Sequence, residues 1–395
     1  MTAAVGRFDV EPADVLARRP AWAEIDHDAI AANVAALAAT VEPALLCAVV
    51  KADAYGHGAV EAARTALASG ASWLAVALAA EGAVLRAAGI DAPILVLAEP
   101  SPTEWDDVVA LGLRPTVHRS EAIRGLGQRA AIGGVTLAVH LKVDTGMHRI
   151  GVPPDEALAR AGEVDAEPAL WLEGVWTHCP VADEPGNPFT GAQAARFAAV
   201  VDELATAGFR PPLVHAANSA AAIDHPALRH DLVRCGIALY GLDPSPALHD
   251  RLPLRPALRL AATVSAVRTV PAGEAVSYGL RRTFDVDTVV ATVPVGYADG
   301  LSRRLAEVGG VVLVGGHRRP FAGTITMDQA MVDCGEVGTA DADAVAVGDE
   351  VVLLGTQGDA AVPVAEWAER LGTIPYEITC GITSRVPRRH VGSHR

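Results

Sequence analysis

The sequence predicts an α/β chain: an N-terminal (β/α)8 barrel of the TIM type followed by a mostly β C-terminal domain. Three observations predict it. Eight short apolar runs alternate with amphipathic, alanine-rich segments between residues 45 and 235. Gly or Pro marks most junctions, among them Gly70, Gly89, Pro93, Gly112, Pro115, Gly208 and Pro211. Near residue 260 the texture changes to β-rich runs separated by Gly, Pro or Asp turns.

In chain order, residues 1–20 read as a leader without periodicity and without the apolar stretch of a signal peptide. Ala21 to Asp26 suits a short strand, and Asp28 suits the cap of the alanine-rich helix that follows. The eight runs are centred on 45–50, 73–78, 93–98, 114–118, 136–143, 171–177, 212–217 and 232–235. Short continuous apolar runs bounded by turns are the mark of strands buried on both faces of a parallel sheet. Between them, Ala59–Ser69, Glu81–Ala88, Thr103–Leu111, Asp155–Glu163 and Ala192–Ala207 carry helical apolar spacing. Eight strands each followed by a helix is the count of a closed barrel, although an open doubly wound sheet shares the local pattern. Beyond it, Ala261–Val270, Thr288–Val295, Gly310–Val314, Thr324–Asp333 and Glu350–Leu354 read as β, and only Val364–Leu371 as helix. The expected domains are therefore 21–260 for the barrel and 261–395 for the β domain, after the 1–20 leader.

Composition excludes several classes of function. With 51% hydrophobic residues the chain can bury a large core, and a net charge of −15 disfavours nucleic acid or an anionic membrane as partner. No apolar run approaches the roughly 18 residues that span a bilayer. The 5 cysteines are odd in number and never spaced C-x-x-C, which points to reduced thiols in a cytoplasmic protein and away from zinc. The histidines form no metal-binding spacing, and Gly125-x-Gly127 lacks the preceding strand of a dinucleotide fingerprint. No metal is expected.

The unusual polar residues gather at one end of the expected strands. Lys51 ends the first run, where α/β folds place their chemistry. A lysine there is exposed enough to react and desolvated enough to have a lowered pKa. Lys142, Asp144 and Arg149 lie at or past the fifth strand, His178 ends the sixth, Asn218 and Ser219 follow the seventh, and Arg234, Gly236 and Ile237 come at the eighth. Loops after strands seven and eight often hold a phosphate in such barrels, and the Ser219 hydroxyl with the N–H groups around Gly236 and Ile237 suits that task. A phosphate site facing an otherwise unexplained lysine suggests pyridoxal phosphate, joined to Lys51 as a Schiff base. Arg234, on an apolar run, must meet an acceptor.

These motifs resemble those of the bacterial alanine racemases, from about Pro20 to the C-terminus. The resemblance rests on Val50-Lys51-Ala-Asp-Ala-Tyr55-Gly-His-Gly58, Lys142-Val-Asp-Thr-Gly-Met147-His-Arg149, Ala217-Asn218-Ser219 and Arg234-Cys-Gly236-Ile237-Ala-Leu-Tyr240-Gly241. Gly296-Tyr297-Ala-Asp-Gly300, Met327-Asp328-Gln329 and Ile374-Pro-Tyr376-Glu377 extend it into the β domain. It implies a pyridoxal 5'-phosphate enzyme that interconverts L- and D-alanine and supplies D-alanine for peptidoglycan. Lys51 would act on the D-substrate and Tyr297 on the L-substrate. Tyr55, Ser219 and Tyr376 would bind the phosphate with the backbone of Gly236 and Ile237, and His178 and Asn218 would belong to the cofactor site. Arg149 and Met327 would meet the substrate, with a carbamylated Lys142 paired to Arg149. The family also implies a head-to-tail homodimer in which each site takes Tyr297 from the partner. Three flanking positions depart from the family's usual pattern: His148 where glycine is common, Thr326 before Met327, and Cys179-Pro180 after His178.

Two physical expectations accompany these roles. A tyrosine must lose a proton to act as a base, and a hydrogen-bonded link from Tyr297 through His178 to Arg234 would ease that loss. A guanidinium only donates, so a ring nitrogen facing Arg234 must be unprotonated, a weaker electron sink that limits transamination. The competing readings are a racemase of broader specificity, a basic amino-acid decarboxylase of similar architecture, and a carrier of the cofactor. A decarboxylase places an acidic residue where Arg234 stands, and a carrier is usually a barrel alone.

Overall fold

The computed structural model describes residues 12–393. The chain divides into two compact units, one from His27 to Ala257 with the chain end from Gly392, the other comprising the chain up to Asp26 and Leu258–Val391. The N-terminal strand β1 (Ala21–Asp26) was expected with the barrel. It pairs instead antiparallel with β10 (Leu258–Thr263) and parallel with β20 (Arg388–Val391), and so belongs to the β unit. Asp28 falls one residue inside the helix His27–Val41 rather than before it, and its carboxylate accepts the Ser393 N–H and hydroxyl at 2.9 Å.

The other unit is the barrel. Its strands are β2 (Leu45–Val49), β3 (Trp73–Val76), β4 (Ile94–Val96), β5 (Arg114–Val117), β6 (Leu137–Lys142), β7 (Leu170–Trp176), β8 (Leu213–His215) and β9 (Leu232–Cys235). All eight expected runs are therefore strands, paired in parallel in the order β8-β7-β6-β5-β4-β3-β2-β9. The seam between β8 and β9 lacks a ladder but is bridged by Asp231 N–H to Val214 O and Arg234 N–H to Ala217 O, each 3.0 Å. The sheet thus nearly closes on itself, which excludes the open doubly wound alternative.

The helix ring departs from a strict strand-then-helix alternation at one place. After β9 comes only a 3-10 turn, Ile237–Tyr240. The eighth position is taken by His27–Val41, which precedes β2 and packs against the helices Ser219–Asp224 and Ala59–Ala68. The helix Ser120–Ile132, which the sequence reading did not anticipate, holds Gly125, where a Cβ would lie 2.0 Å from the Trp105 ring. Gly125 serves helix packing and Gly127 gives room to the Glu167 side chain.

In the β unit, the run expected over Ala261–Val270 is two strands in two sheets, β10 and β11 (Ala266–Val270), with the break at Val264-Ser265. Further strands are β12 (Ala275–Val276), β13 (Arg282–Thr283), β14 (Thr288–Val293), β15 (Val311–Val314), β16 (His317–Pro320), β17 (Ala330–Glu336), β18 (Glu350–Gln357) and β19 (Ala360–Val362). One sheet runs β16-β15-β18-β10-β1-β20 with β19 beside β18, a second runs β11-β14-β17, and β12 pairs with β13. The run expected to be β from Thr324 begins only at Ala330; the residues before it form a loop. Helix Val364–Leu371 forms as expected, and a short helix, Pro375–Cys380, follows it.

Candidate active site

Lys51 follows β2 at the C-terminal end of the barrel, and the chain beyond it does something its sequence does not announce. Ala52, Asp53, Ala54 and Tyr55 all take left-handed helical angles, with φ of 51 to 55° and ψ of 35 to 49°. Each L-residue in that conformation costs about 1–2 kcal/mol relative to the right-handed helix, so four cost roughly 4–8 kcal/mol. Side chains from elsewhere hold the turn. Glu81 accepts the Ala52 N–H at 2.6 Å through one oxygen and the Ala77 and Leu78 N–H groups at 2.7 and 3.1 Å through the other. Asp53 accepts the Ala59 N–H at 2.7 Å. The buried His57 ring uses Nδ1 to donate to the Ala54 and Tyr55 carbonyls and stacks on Tyr240 at 4.4 Å, while the Tyr240 hydroxyl donates to Val49 O at 2.9 Å.

The turn delivers Tyr55 to Gly236. A Cβ at residue 236 would stand 2.3 Å from the Tyr55 hydroxyl, so only glycine fits. The Gly236 N–H donates to Ser219 Oγ at 2.9 Å. A phenol and a serine hydroxyl thus meet beside the Gly236 backbone, a set suited to a phosphate. Asn218 is engaged differently: its carbonyl oxygen accepts the Ala221 N–H and its amide donates to Cys179 O at 3.1 Å, fixing the loop that carries Ser219.

Arg234 is buried in the barrel lumen. It donates to Thr177 O at 2.8 Å, Ala216 O at 3.0 Å, His215 Nδ1 at 2.7 Å and, at 3.4 Å, His178 Nδ1. Its Nε–H and one Nη1–H have no acceptor among the described residues, which leaves donors for a ligand. The contact to His215 fixes a series of tautomers. Because Arg234 only donates, His215 Nδ1 must accept and Nε2 must carry the proton. His215 Nε2 then donates to His140 Nδ1 at 2.9 Å, and His140 Nε2 donates to Glu173 at 3.2 Å. Arg114 closes the series as an ion pair with Glu173 at 3.0 Å. A shift of register between β6 and β7 at Val139/His140, and Gly174, where a Cβ would lie 2.3 Å from His140, make the room. Burial holds both imidazoles below their ordinary pKa, His215 well below with Arg234 adding to the effect, so both are neutral.

The cationic groups converge on the same mouth. Burial, then the charges of Arg234 and Arg149, lowers Lys142 to about 7, and its Nζ sits 4.1 Å over the Trp176 ring. His178 is held well below its usual value by burial and then by Arg234, Lys142, Arg149 and Lys51. Asp144 Oδ1 collects the N–H groups of Gly146, Met147 and His148 at 2.9 to 3.1 Å, ordering the loop before Arg149. His148 has φ 56°, which explains why glycine is common there and makes histidine a mild strain.

In the β unit, Val293 of β14 pairs with Ala330 of β17, so the chain leaving one strand meets the chain entering the other. Tyr297 N–H donates to Thr326 O and Ala298 N–H to Met327 O, both 3.0 Å. Tyr297 and Met327 are thereby set side by side, 44% and 52% exposed. The Thr326 hydroxyl closes its own turn by donating to Gln329 O at 2.8 Å. Tyr376 lies in the helix Pro375–Cys380 of the same unit, and Thr383 beyond that helix donates to Ala298 O at 2.9 Å. The sequence reading brought Lys51, Tyr55, Lys142, Arg149, His178, Ser219, Arg234, Gly236 and Ile237 to one barrel end, and Tyr297, Met327 and Tyr376 to the β unit. It missed Glu81, His57 and Tyr240, which hold the turn, and His215, His140 and Glu173. The last three had one signal: a buried arginine needs acceptors, and His215 stood unread three residues before Asn218.

Such a barrel, with a lysine on a strained turn and a phosphate cradle across from it, is the frame of an amino-acid-transforming enzyme. Residues 25–244 match the model of the alanine racemase N-terminal domain and 257–390 that of the C-terminal domain. An alanine racemase of Symbiobacterium thermophilum is 45% identical over 379 residues, covering 96% of this chain and 99% of its own. The crystal structure of alanine racemase from Bacillus anthracis with bound L-Ala-P superposes with a TM-score of 0.89 at 38% identity, covering 95% of this chain and 96% of that one. A histidine racemase from Leuconostoc mesenteroides has a TM-score of 0.86 at 29% identity, covering 95% and 99%. The chain belongs to the alanine racemase family, and it is a racemase. Among the described residues, no helix is long and apolar enough to cross a membrane, and no cluster of His, Cys, Asp or Glu suits a metal.

Proposed function

We propose that this racemase interconverts L- and D-alanine with pyridoxal 5'-phosphate held on Lys51, supplying D-alanine for peptidoglycan in the cytoplasm. The observation that carries the reading is Arg234: four acceptors fix its guanidinium, and its Nε–H and one Nη1–H are left for a ligand. When bound, the cofactor supplies the electron sink that makes the α-proton of an amino acid labile. Tyr55, Ser219, the backbone of Gly236 and Ile237, and Tyr376 would bind its phosphate, with Asn218 holding the Ser219 loop. Arg234 would donate to its ring nitrogen, which such a bond would keep unprotonated. His178, neutral and beside Arg234, is the group through which Tyr297 exchanges its proton. Arg149 binds the substrate carboxylate beside Met327. Lys142, with a pKa of about 7, is largely an uncharged amine under mildly alkaline conditions, the form that adds CO2, and its carbamate would turn repulsion from Arg149 into attraction.

Lys51 takes or returns the α-proton on the D face and Tyr297 on the L face. Each site of a head-to-tail homodimer draws on the partner subunit's Tyr297. The test is a panel of L-amino acids incubated in deuterated water. L-Alanine should lose its α-proton and its optical rotation together. Rotation lost equally fast with serine or histidine would favour a racemase of broader specificity, which the histidine racemase's similarity keeps in view. Release of CO2 without racemisation would overturn the proposal.

A further inference from the structure

Tyr297 is half-exposed, and among the described residues its hydroxyl has no hydrogen-bond partner within the β unit. Its backbone therefore aims the ring, held on one side by the Thr326 and Met327 carbonyls and on the other by one buried carboxylate. Asp299, two residues on, has a side chain with 0% exposure. One of its oxygens accepts Arg19 Nη1 at 2.8 Å and pairs with Arg385 Nε at 3.2 Å; the other accepts Arg19 Nη2 at 2.7 Å and the Gly296 N–H at 2.9 Å. The same Arg19 donates to Pro294 O at 3.0 Å and Arg385 O at 2.8 Å, and Arg385 donates to Asp328, beside Met327, at 2.7 Å. The two arginines thus grip the chain on both sides of Tyr297 and extend the grip to the Met327 loop.

We propose that Asp299 is the positioning residue for Tyr297, and that Arg19, from the segment before β1, is its clamp. This rests on Tyr297 acting as the base on the L face. A bidentate guanidinium–carboxylate pair fixes both angle and distance, which a single ammonium does not. In Asp299→Asn an amide N–H replaces one oxygen and meets N–H donors. In Arg19→Lys the charge stays but the two-pronged geometry is lost.

The readout is direction-specific. When Tyr297 is misplaced, a proton that Lys51 has taken from D-alanine returns from Lys51 more often than it is replaced by one from Tyr297. In deuterated water, recovered D-alanine should then gain deuterium without inverting. From L-alanine the first step already needs Tyr297, so exchange and inversion slow together. We expect the ratio of exchange to inversion for D-alanine to rise at least tenfold in holoenzyme carrying Asp299→Asn, with the ratio for L-alanine level or lower and KM within about threefold. Arg19→Lys should show the same asymmetry, more weakly, and carries the test if Asp299→Asn fails to fold. In 3-fluorotyrosine-labelled protein, one of 5 fluorine resonances, assigned by its absence in Tyr297→Phe, should broaden or split in either variant. A ratio that stays constant, or that rises equally from both enantiomers, overturns the inference. Wild-type protein that does not racemise alanine would instead overturn the proposed function.

Discussion

The barrel unit and the β unit each present one candidate base, and they hold it by opposite means. Lys51 precedes a backbone turn that is unfavourable in itself, kept in place by Glu81, Asp53 and the His57–Tyr240 stack. Tyr297 opens an ordinary 3-10 turn, Tyr297–Asp299, kept in place by a single buried carboxylate and two arginines. The first arrangement resists relaxation because several weak contacts oppose a stored strain. The second has almost no strain to oppose and rests on one ion-paired group together with backbone bonds to Thr326 and Met327. Loss of its main strut should therefore let the lysine turn spring towards ordinary angles, whereas loss of the Asp299 pair should shift the tyrosine turn with no strain to drive it further.

The largest expected effect tests whether the two bases form one machine. Lys51→Ala and Tyr297→Phe should each lower kcat by about 10³-fold or more, the upper range for removing a positioned acid–base group. Unfolded and refolded together, the two inactive chains should form mixed dimers with one intact site each, recovering about a quarter of the wild-type sites if assembly is random. No recovery, with mixed dimers demonstrated, would mean that each site is built from a single chain.

Next in size is the strut of the lysine turn. Glu81→Ala removes the acceptor of three N–H groups and should destabilise the protein by about 2–3 kcal/mol. The Ala52–Tyr55 turn should then relax towards ordinary angles, carrying Lys51 away and lowering kcat by roughly 10²-fold, the scale of a misplaced reacting group. Chemical denaturation and the rate of racemisation measure the two parts separately. A stability loss with unchanged turnover would show that the turn does not need Glu81 to place the lysine.

The same contrast explains what the sequence disclosed. The barrel strands were legible because strands buried on both faces are continuous apolar runs, and Lys51 was legible as the charge that ends one. Ala-Asp-Ala-Tyr, with no glycine, gives no local sign of a left-handed turn, since the contacts that enforce it come from Glu81 and Tyr240. Pairing between β1 and β10 joins residues far apart in the chain, and strand texture alone does not say which sheet a strand enters. The helix Ser120–Ile132 was hidden by its own glycines, of which Gly125 admits the Trp105 ring and Gly127 the Glu167 side chain. Tyr297 was found through its motif, but Arg19 sits in a segment that read as a leader. Its partner is fixed only by tertiary structure.

A third test concerns the buried polar lumen of the barrel unit. His140 and His215 are neutral because burial lowers their folded pKa below the ordinary 6.5. The native state therefore binds fewer protons than the unfolded chain below that value. Their contribution to stability is complete above pH ~6.5 and is lost as pH falls below it, at up to about 1.4 kcal/mol per pH unit for each group. Urea unfolding at pH 7.5 and 5.5 should show this loss. Glu173→Gln, which leaves His140 a weaker acceptor to bond, should lower kcat by less than about tenfold, since the carboxylate acts only through two imidazoles and Arg234. A stability that does not change between the two pH values would mean that the imidazoles are not held neutral as the hydrogen-bond directions require.

The smallest effect is the most direct measure of the strain that separates the two regions. Ala52 has φ 51° with no glycine to permit it. Glycine adopts that conformation without the penalty to a Cβ, but loses more backbone entropy on folding. Subtracting roughly 0.5–1 kcal/mol of entropy from 1–2 kcal/mol of relief leaves Ala52→Gly more stable by about 0.5–1 kcal/mol. The Ala52 N–H bond to Glu81 survives the change, so kcat should move little. In the β unit, Ala298→Gly offers the opposite case. Ala298 has no positive φ, so no strain is relieved, and the same substitution should destabilise by about 0.5–1 kcal/mol. Opposite signs for the two alanine-to-glycine changes, measured under one set of unfolding conditions, would locate the strain at Lys51 and not at Tyr297. If both changes destabilise, the left-handed turn stores no usable strain, and Glu81 is then an ordinary cap.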